Sequence, residues 1–269
     1  MIKDKYINHI FCEDCFITMN NMIKDKFKVD CILTSPPYNT VRKGSIYNSQ
    51  KARDEGYGRY DVYMEDKTDE EYIEWTLKLF DYFDKILSEN KVVIYNLSYS
   101  NENPELMWRV IYNIIEHTSF TIADNIIWKK KNAITNGASN NKLIRLCEYI
   151  FIFCRKNEFR TFHTNKQVSK IGKNGQTYYH SIFNFIEADN NDSVCKLNKA
   201  TFSTELVLKL FNIYVNKNSI VYDCFMGTGT TANACKIQGL NYVGSEISKA
   251  QVDYTINRLS YDTLNKWIS

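Results

Sequence analysis

The sequence predicts an α/β fold: a doubly wound, mostly parallel sheet interrupted by one basic insert. Three observations predict it. Short apolar runs at 29–34, 92–97, 149–154 and 219–224 are continuous rather than alternating, the pattern of strands buried on both faces. Segments of helical period separate most of them, which is the βα alternation of a wound sheet. Regularity then fades from Arg155 to about Lys199 and returns at the end of the chain.

In chain order, residues 6–11 alternate well enough for a first strand, and Asp14 opens a helical pattern through Phe16, Met19, Met22 and Ile23. The strand at 29–34 runs into Ser35-Pro36-Pro37-Tyr38. Two prolines fix φ, remove two backbone donors and forbid a helix from starting there, so the strand ends in a rigid tip. Residues 39–66 are polar and aperiodic, with Arg42, Lys43, Lys51, Arg53 and Arg59 among Tyr47, Tyr57, Tyr60 and Tyr63. A loop of that length in a compact domain is functional or mobile.

Thr68 is an N-cap with Glu71 at the capping-box position, and Tyr72, Trp75, Leu79, Phe83 and Leu87 mark one helical face. Asn90-Lys91 punctuates before the strand at 92–97. Pro104 stands near the start of a helix carrying Leu106, Val110, Ile114 and Ile115, and strands follow at 123–128 and 149–154. Within 155–180, Arg155, Lys156, Arg160, Lys166, Lys170 and Lys173 are opposed only by Glu158, with His163, Tyr178, Tyr179 and His180 among them. The final pattern is a helix at 202–214 with Ser203 as N-cap, a strand at 219–224, a helix at 230–237, a strand at 241–245 and a helix at 251–259.

Composition bounds the function less than the motifs do. At 269 residues and 44% apolar, the chain suits one large α/β domain, or one carrying an insertion, with a full core. A net charge of +3 neither demands nor excludes a polyanionic partner. The eight cysteines sit mostly inside apolar patterns, which reads as reduced buried thiols rather than a disulfide framework. Cys12 and Cys15 have metal-like spacing, but no second pair completes a tetrahedral site, so no metal is expected. The opening residues lack a signal-peptide pattern, and no run approaches the ~18 apolar residues of a spanning helix. The expectation is a soluble cytoplasmic protein with no membrane contact.

Two constellations carry chemistry. The first is the Ser35–Tyr38 tip. The second is Asp223-Cys224-Phe225-Met226-Gly227-Thr228-Gly229-Thr230-Thr231, a strand, a glycine turn and a helix start, followed by Glu246 at the end of the next strand. Glycines let backbone approach a ligand closely, and an acid so placed can accept from a ribose diol. Gly227-x-Gly229-x-x-Ala232 also fits the dinucleotide fingerprint, which keeps a nicotinamide enzyme in play. Both constellations end buried strands, so in a parallel sheet they share one edge.

Thr34-Ser35-Pro36-Pro37-Tyr38-Asn39 taken with residues 223–231 resembles the amino-methyltransferases of DNA, more narrowly their circularly permuted β class. The catalytic motif comes first, a target-recognition insert follows, and the glycine motif comes last. Ile126-Ile127-Trp128-Lys129-Lys130 and Glu148-Tyr149-Ile150-Phe151-Ile152-Phe153 fit that family's later strands. The chain departs from the family at Asn198-Lys199 and Phe202-Ser203, where prolines are usual, and at Cys224.

The resemblance implies a seven-stranded methyltransferase (Rossmann-like) sheet: a catalytic half at 1–154, a target-recognition insert at 155–199 and a cofactor half at 200–269. It implies S-adenosylmethionine as donor, with Asp14, Phe202, Asp223, Phe225, Gly227, Gly229, Thr230 and Glu246 around it. The target is an exocyclic amine of a flipped base, with Ser35 Oγ and the Pro36 carbonyl as acceptors, Pro37 stiffening the tip and Tyr38 stacking on the base. Serine in the first position favours cytosine N4; adenine N6 is the alternative, and a nucleic-acid-binding relative without turnover a further one. Double-stranded DNA is the expected partner, gripped by Arg42, Lys43, Arg53, Arg59, Lys130, Lys166, Lys170 and Lys173. A cognate restriction endonuclease and a homodimer are further expectations.

Overall fold

A computed structural model describes residues 2–39, 67–100, 102–132, 140–141, 143–192 and 201–260. The elements run α1 Ile2–Tyr6, β1 His9–Phe11, α2 Cys15–Lys24, β2 Val29–Thr34, α3 Asp69–Ile86, β3 Leu87–Leu97, α4 Leu106–His117, β4 Phe120–Lys130, β5 Cys147–Arg155, β6 Val168–Ile171 and β7 Thr177–Tyr179. They continue with β8 Phe185–Ala188, α5 Thr204–Tyr214, β9 Ile220–Asp223, α6 Thr230–Gln238, β10 Asn241–Ser245 and α7 Lys249–Ser260.

The main sheet has the order β1-β10-β9-β2-β3-β5-β4-β8. Every neighbouring pair is parallel except those of β5, which runs antiparallel to both β3 and β4. Among the described residues this sheet has eight strands rather than the seven expected. The additional one, β8, comes from the 155–199 segment and pairs with β4 from Ile127↔Phe185 to Lys130↔Ala188. It occupies the backbone of β4 on the side away from β5, which would otherwise be a bare sheet edge.

The apolar strand runs are explained by two cores. Along β3, Val93, Tyr95 and Leu97 join one cluster with α2, α3 and α4, while Val92 and Ile94 join the other with α5 and α6. The same alternation divides Ile32 from Leu33 and Tyr222 from Val221. Both faces of each strand are therefore buried, and no polar alternation survives in the sequence.

Two local expectations are corrected. Tyr6 ends α1 instead of starting a strand: its buried hydroxyl donates to Asp25 at 2.6 Å, and Asn8 turns the chain with φ 59° before β1 begins at His9. The strand β3 begins at Leu87, not after Lys91. It absorbs Asn90 at φ 57°, while its pairing jumps from Val29↔Leu87 to Cys31↔Val92, a bulge in place of a break. The capping box at α3 forms as expected, with Glu71 N donating to Thr68 Oγ1 at 3.2 Å and Thr68 N to Glu71 Oε2 at 2.8 Å. Among the described residues, no helix is long and apolar enough to cross a membrane.

The segment after β5 is anchored at its root and open at its tip. Arg155 donates to the carbonyls of Asp84 and Leu87 at 2.8 Å and pairs with Glu158, which pins the exit of β5 to the α3–β3 junction. Beyond it, β6 and β7 form a separate antiparallel hairpin whose strand residues are all exposed.

Candidate active site

Parallel pairing brings the ends of β1, β10, β9, β2, β3 and β4, and the start of antiparallel β5, to one edge of the sheet. The Ser35–Tyr38 tip leaves β2 at that edge, with Pro36 and Pro37 buried and Ser35 and Tyr38 half-buried. Tyr72 on α3 donates its hydroxyl to the Pro37 carbonyl at 2.7 Å, and Asn39 Nδ2 donates to the Lys67 carbonyl at 2.9 Å. A tip already stiffened by two prolines is thus tied at its far end to the start of α3.

The glycine turn leaves β9 beside it. Gly227 and Gly229 take φ values of 54° and 80°, the left-handed region where glycine costs least. At Gly229 a Cβ would also stand 2.2 Å from Thr255 Cγ2, so α7 packs directly against the turn. Thr230 is buried at the first position of α6, and Phe225 packs on Trp75 at a centroid distance of 5.6 Å. Glu246 accepts from Gly227 N at 2.8 Å and from Ser248 N at 2.9 Å, so its carboxylate is held at the mouth of the turn. Asp14 is exposed just after β1 and caps α2, accepting from Phe16 N at 2.8 Å. Phe202 is buried with Leu33, Ile94 and the helix α5, and it lines a small cavity together with Thr34 and Asn96 at the sheet edge.

One buried carboxylate joins the two constellations. Asp223 accepts from Thr34 Oγ1 at 2.8 Å, from Phe225 N at 3.0 Å and from Thr231 Oγ1 at 2.6 Å, while only 1% exposed. Burial pushes its carboxyl up from 3.8 to about 6, against the pull of the three donors. Thr34 is the residue before the tip, so the acceptor motif and the glycine turn are latched together directly.

The sequence reading missed a polar cluster above the tip. Ser35 Oγ donates to the Tyr38 hydroxyl at 3.1 Å, and Tyr38 donates to Glu148 Oε2 at 3.0 Å. Asn96 Nδ2 donates to the same Glu148 oxygen at 2.9 Å and also to the Tyr38 hydroxyl. Lys130 pairs with the other oxygen, Oε1, and its ammonium stands 5.0 Å from the Trp128 ring centroid. The structure therefore places Lys130 inside the site, not on an open surface. Asn96 Oδ1 is buried and accepts no hydrogen bond among the described residues. A buried acceptor left without a donor costs about 1–3 kcal/mol.

Of the remaining basic residues, Lys166, Lys170 and Lys173 lie exposed on or beside the β6–β7 hairpin, Lys170 over the Tyr178 ring at 5.3 Å. Arg42, Lys43, Arg53 and Arg59 lie outside the described residues.

A doubly wound sheet carrying a glycine turn and a rigid Pro-Pro tip on one edge fits an enzyme of the α/β class. A DNA methylase family model covering N6 and N4 methyltransferases matches residues 29–257, and the chain belongs to that family. It is 23% identical over 260 residues to the Type II methyltransferase M.HinfI of Haemophilus influenzae, covering 94% of this chain and 68% of that one. It is 23% identical over 271 residues to the orphan methyltransferase M.BamHII of Bacillus amyloliquefaciens, covering 88% and 91%. Among solved structures it is similar to the cytosine-N4-specific PvuII DNA methyltransferase, with a TM-score of 0.67, 16% identity and coverage of 95% and 87%. M1.HpyAVI is similar with a TM-score of 0.62, 20% identity and coverage of 94% and 98%. The protein is a DNA methyltransferase, and the nicotinamide reading of its glycine turn falls away.

Proposed function

We propose that this chain is a site-specific DNA amino-methyltransferase that methylates the exocyclic amine of an extrahelical base, N4 of cytosine in first place. The observation that carries the proposal is the 2.8 Å bond from Thr34 to Asp223, which fixes the amine-accepting tip against the glycine turn. The donor is S-adenosylmethionine. The residues present fit it: two left-handed glycines give close backbone approach, Glu246 offers a carboxylate for a ribose diol, and Phe225 offers an apolar face. Gly227, Gly229, Thr230, Phe225 and Glu246 would hold it, with Asp14 at the neighbouring strand end. Bound there, it supplies an electrophilic methyl group on a positively charged sulfur.

The protein's own residues do the rest. An exocyclic amine is a poor nucleophile because its lone pair is delocalised into the ring. Acceptors aimed at its two N–H groups favour the pyramidal nitrogen that attacks, and Ser35 Oγ and the Pro36 carbonyl are the acceptors on this tip. Because the tip is rigid before substrate arrives, little reorganisation is left for the reaction itself. Tyr38 presents its ring to the base. The base must leave the duplex to reach the edge. The exposed Lys166, Lys170 and Lys173, within the 155–199 target-recognition segment, neutralise phosphates.

The test is mass spectrometry of nucleosides from DNA incubated with the protein and S-adenosylmethionine. N4-methylcytosine is expected. N6-methyladenine would move the target to adenine while leaving the enzyme class intact, and no modified nucleoside would leave a DNA-binding relative without turnover.

A further inference from the structure

Methylating a neutral amine to a neutral product releases one proton, and the tip offers a route for it. We propose that Glu148 is the terminal acceptor of that proton, reached through Ser35 and Tyr38, and the proposal rests on the amino-methyltransferase reading above.

The hydrogen bonds already run in one direction. Ser35 Oγ donates to the Tyr38 hydroxyl at 3.1 Å, and that hydroxyl donates to Glu148 Oε2 at 3.0 Å. A hydroxyl that spends its proton on Tyr38 keeps an oxygen lone pair for the amine, the other accepting from Asn96 Nδ2 at 3.4 Å. The carboxylate is divided in use: Lys130 holds Oε1, while Oε2 faces Tyr38 and Asn96. Its side chain is 16% exposed, which gives the proton an exit to solvent after turnover.

The balance is simple. As nitrogen gains its methyl group, one N–H bond breaks and its electron pair stays on nitrogen. That proton goes to Ser35 Oγ, the Ser35 hydroxyl proton goes to the Tyr38 oxygen, and the Tyr38 proton goes to Glu148 Oε2. Ser35 and Tyr38 end as they began, and Glu148 ends protonated. The positive charge brought by the donor has become that proton. Moving it during attack raises the nucleophilicity of the amine when it is needed, so the relay affects the chemical step. Glu148 does not touch the substrate and acts only through Tyr38.

The test is single-turnover methylation in H2O and D2O by wild type, Glu148→Gln, Glu148→Asp, Tyr38→Phe and the double variant Glu148→Gln with Tyr38→Phe. Loss of proton transfer to a positioned group costs roughly 10²–10⁴-fold, so Glu148→Gln and Tyr38→Phe are each expected to slow by about that amount. Residues acting as one unit are not additive, so the double variant should be no slower than the slower single one. The wild-type solvent isotope effect should disappear in both. Glu148→Asp, which keeps a carboxylate on a shorter arm, should recover part of the rate, whereas a merely packing role would favour the isosteric Gln. In Glu148→Gln, donor affinity by calorimetry, and fluorescence of 2-aminopurine at the target position, should stay at the wild-type level. A Glu148→Gln variant at wild-type rate, or a slow one that has also lost base extrusion, overturns the relay alone. A wild type that leaves no methylated nucleoside overturns the enzymatic reading and the relay with it.

Discussion

At the scale of single residues, Asp223 is the buried group on which the geometry of the sheet edge most depends. Burial lifts its carboxyl from 3.8 to about 6, even with three donors upon it. The folded chain therefore holds this proton more tightly than the unfolded one. Its contribution to stability is full below about pH 4 and lost as pH rises towards 6, amounting to roughly 3 kcal/mol. Asp223→Asn removes that dependence. Urea unfolding of both proteins at pH 4 and pH 7 should show the variant gaining on wild type by roughly that amount between the two, and parallel values would refute the assignment. Legibility at this scale divided by locality. Ser35-Pro36-Pro37-Tyr38 declares itself because two prolines and a polar flank are unusual at a strand end. Asn96 and Glu148 did not, since each matters only through the register that sets Asn96 opposite Ile150 and Glu148 opposite Trp128. A signal was present nonetheless: Asn96 is the one polar residue in Val92-Val93-Ile94-Tyr95-Asn96-Leu97, and Glu148 precedes five apolar or aromatic residues.

At the scale of elements, local chemistry fixes ends better than pairing. The Thr68 and Glu71 pair was readable because a capping box is a four-residue device, and its two reciprocal bonds form. Thr68→Ala should cost about 1 kcal/mol in urea unfolding, within a range of roughly 0.5–2. Because Asn39 ties the tip to the Lys67 carbonyl, one residue before this cap, donor-saturated turnover should fall as well. A variant with unchanged unfolding would show that the helix end is held by packing alone. The antiparallel sense of β5 and the pairing of β8 with β4 were not readable. A continuous apolar run looks the same in either direction, since both faces are buried whichever way the strand points. Residues 6–8 misled for a related reason: a three-residue strand is too short for period-two alternation to be distinguished from the end of a helix.

At the scale of the whole molecule, the Ser35–Tyr38 tip and the glycine turn look separable in sequence and are not separable in space. Both β9 and β10 lie between β1 and β2 in the sheet, with Cys31↔Val221 and Ile32↔Tyr222 in direct register. Without residues 201–269, β1 would lose its partner β10 and β2 would lose its partner β9. The core face of Cys31, Leu33, Val92 and Ile94 would lose the helices α5 and α6 that cover it. Bared backbone groups cost about 1–3 kcal/mol each once buried, and a domain's whole margin is only roughly 5–15 kcal/mol. A fragment of residues 1–192 is thus expected to show no cooperative unfolding transition by circular dichroism. Co-expressed with residues 201–269 it should be recovered as a soluble complex that binds S-adenosylmethionine, because the missing strands can still enter the gap in register. A cooperative transition in the fragment alone would mean that the catalytic half closes its own sheet. That outcome would break the argument that the tip and the turn are positioned as one unit by the strands between them.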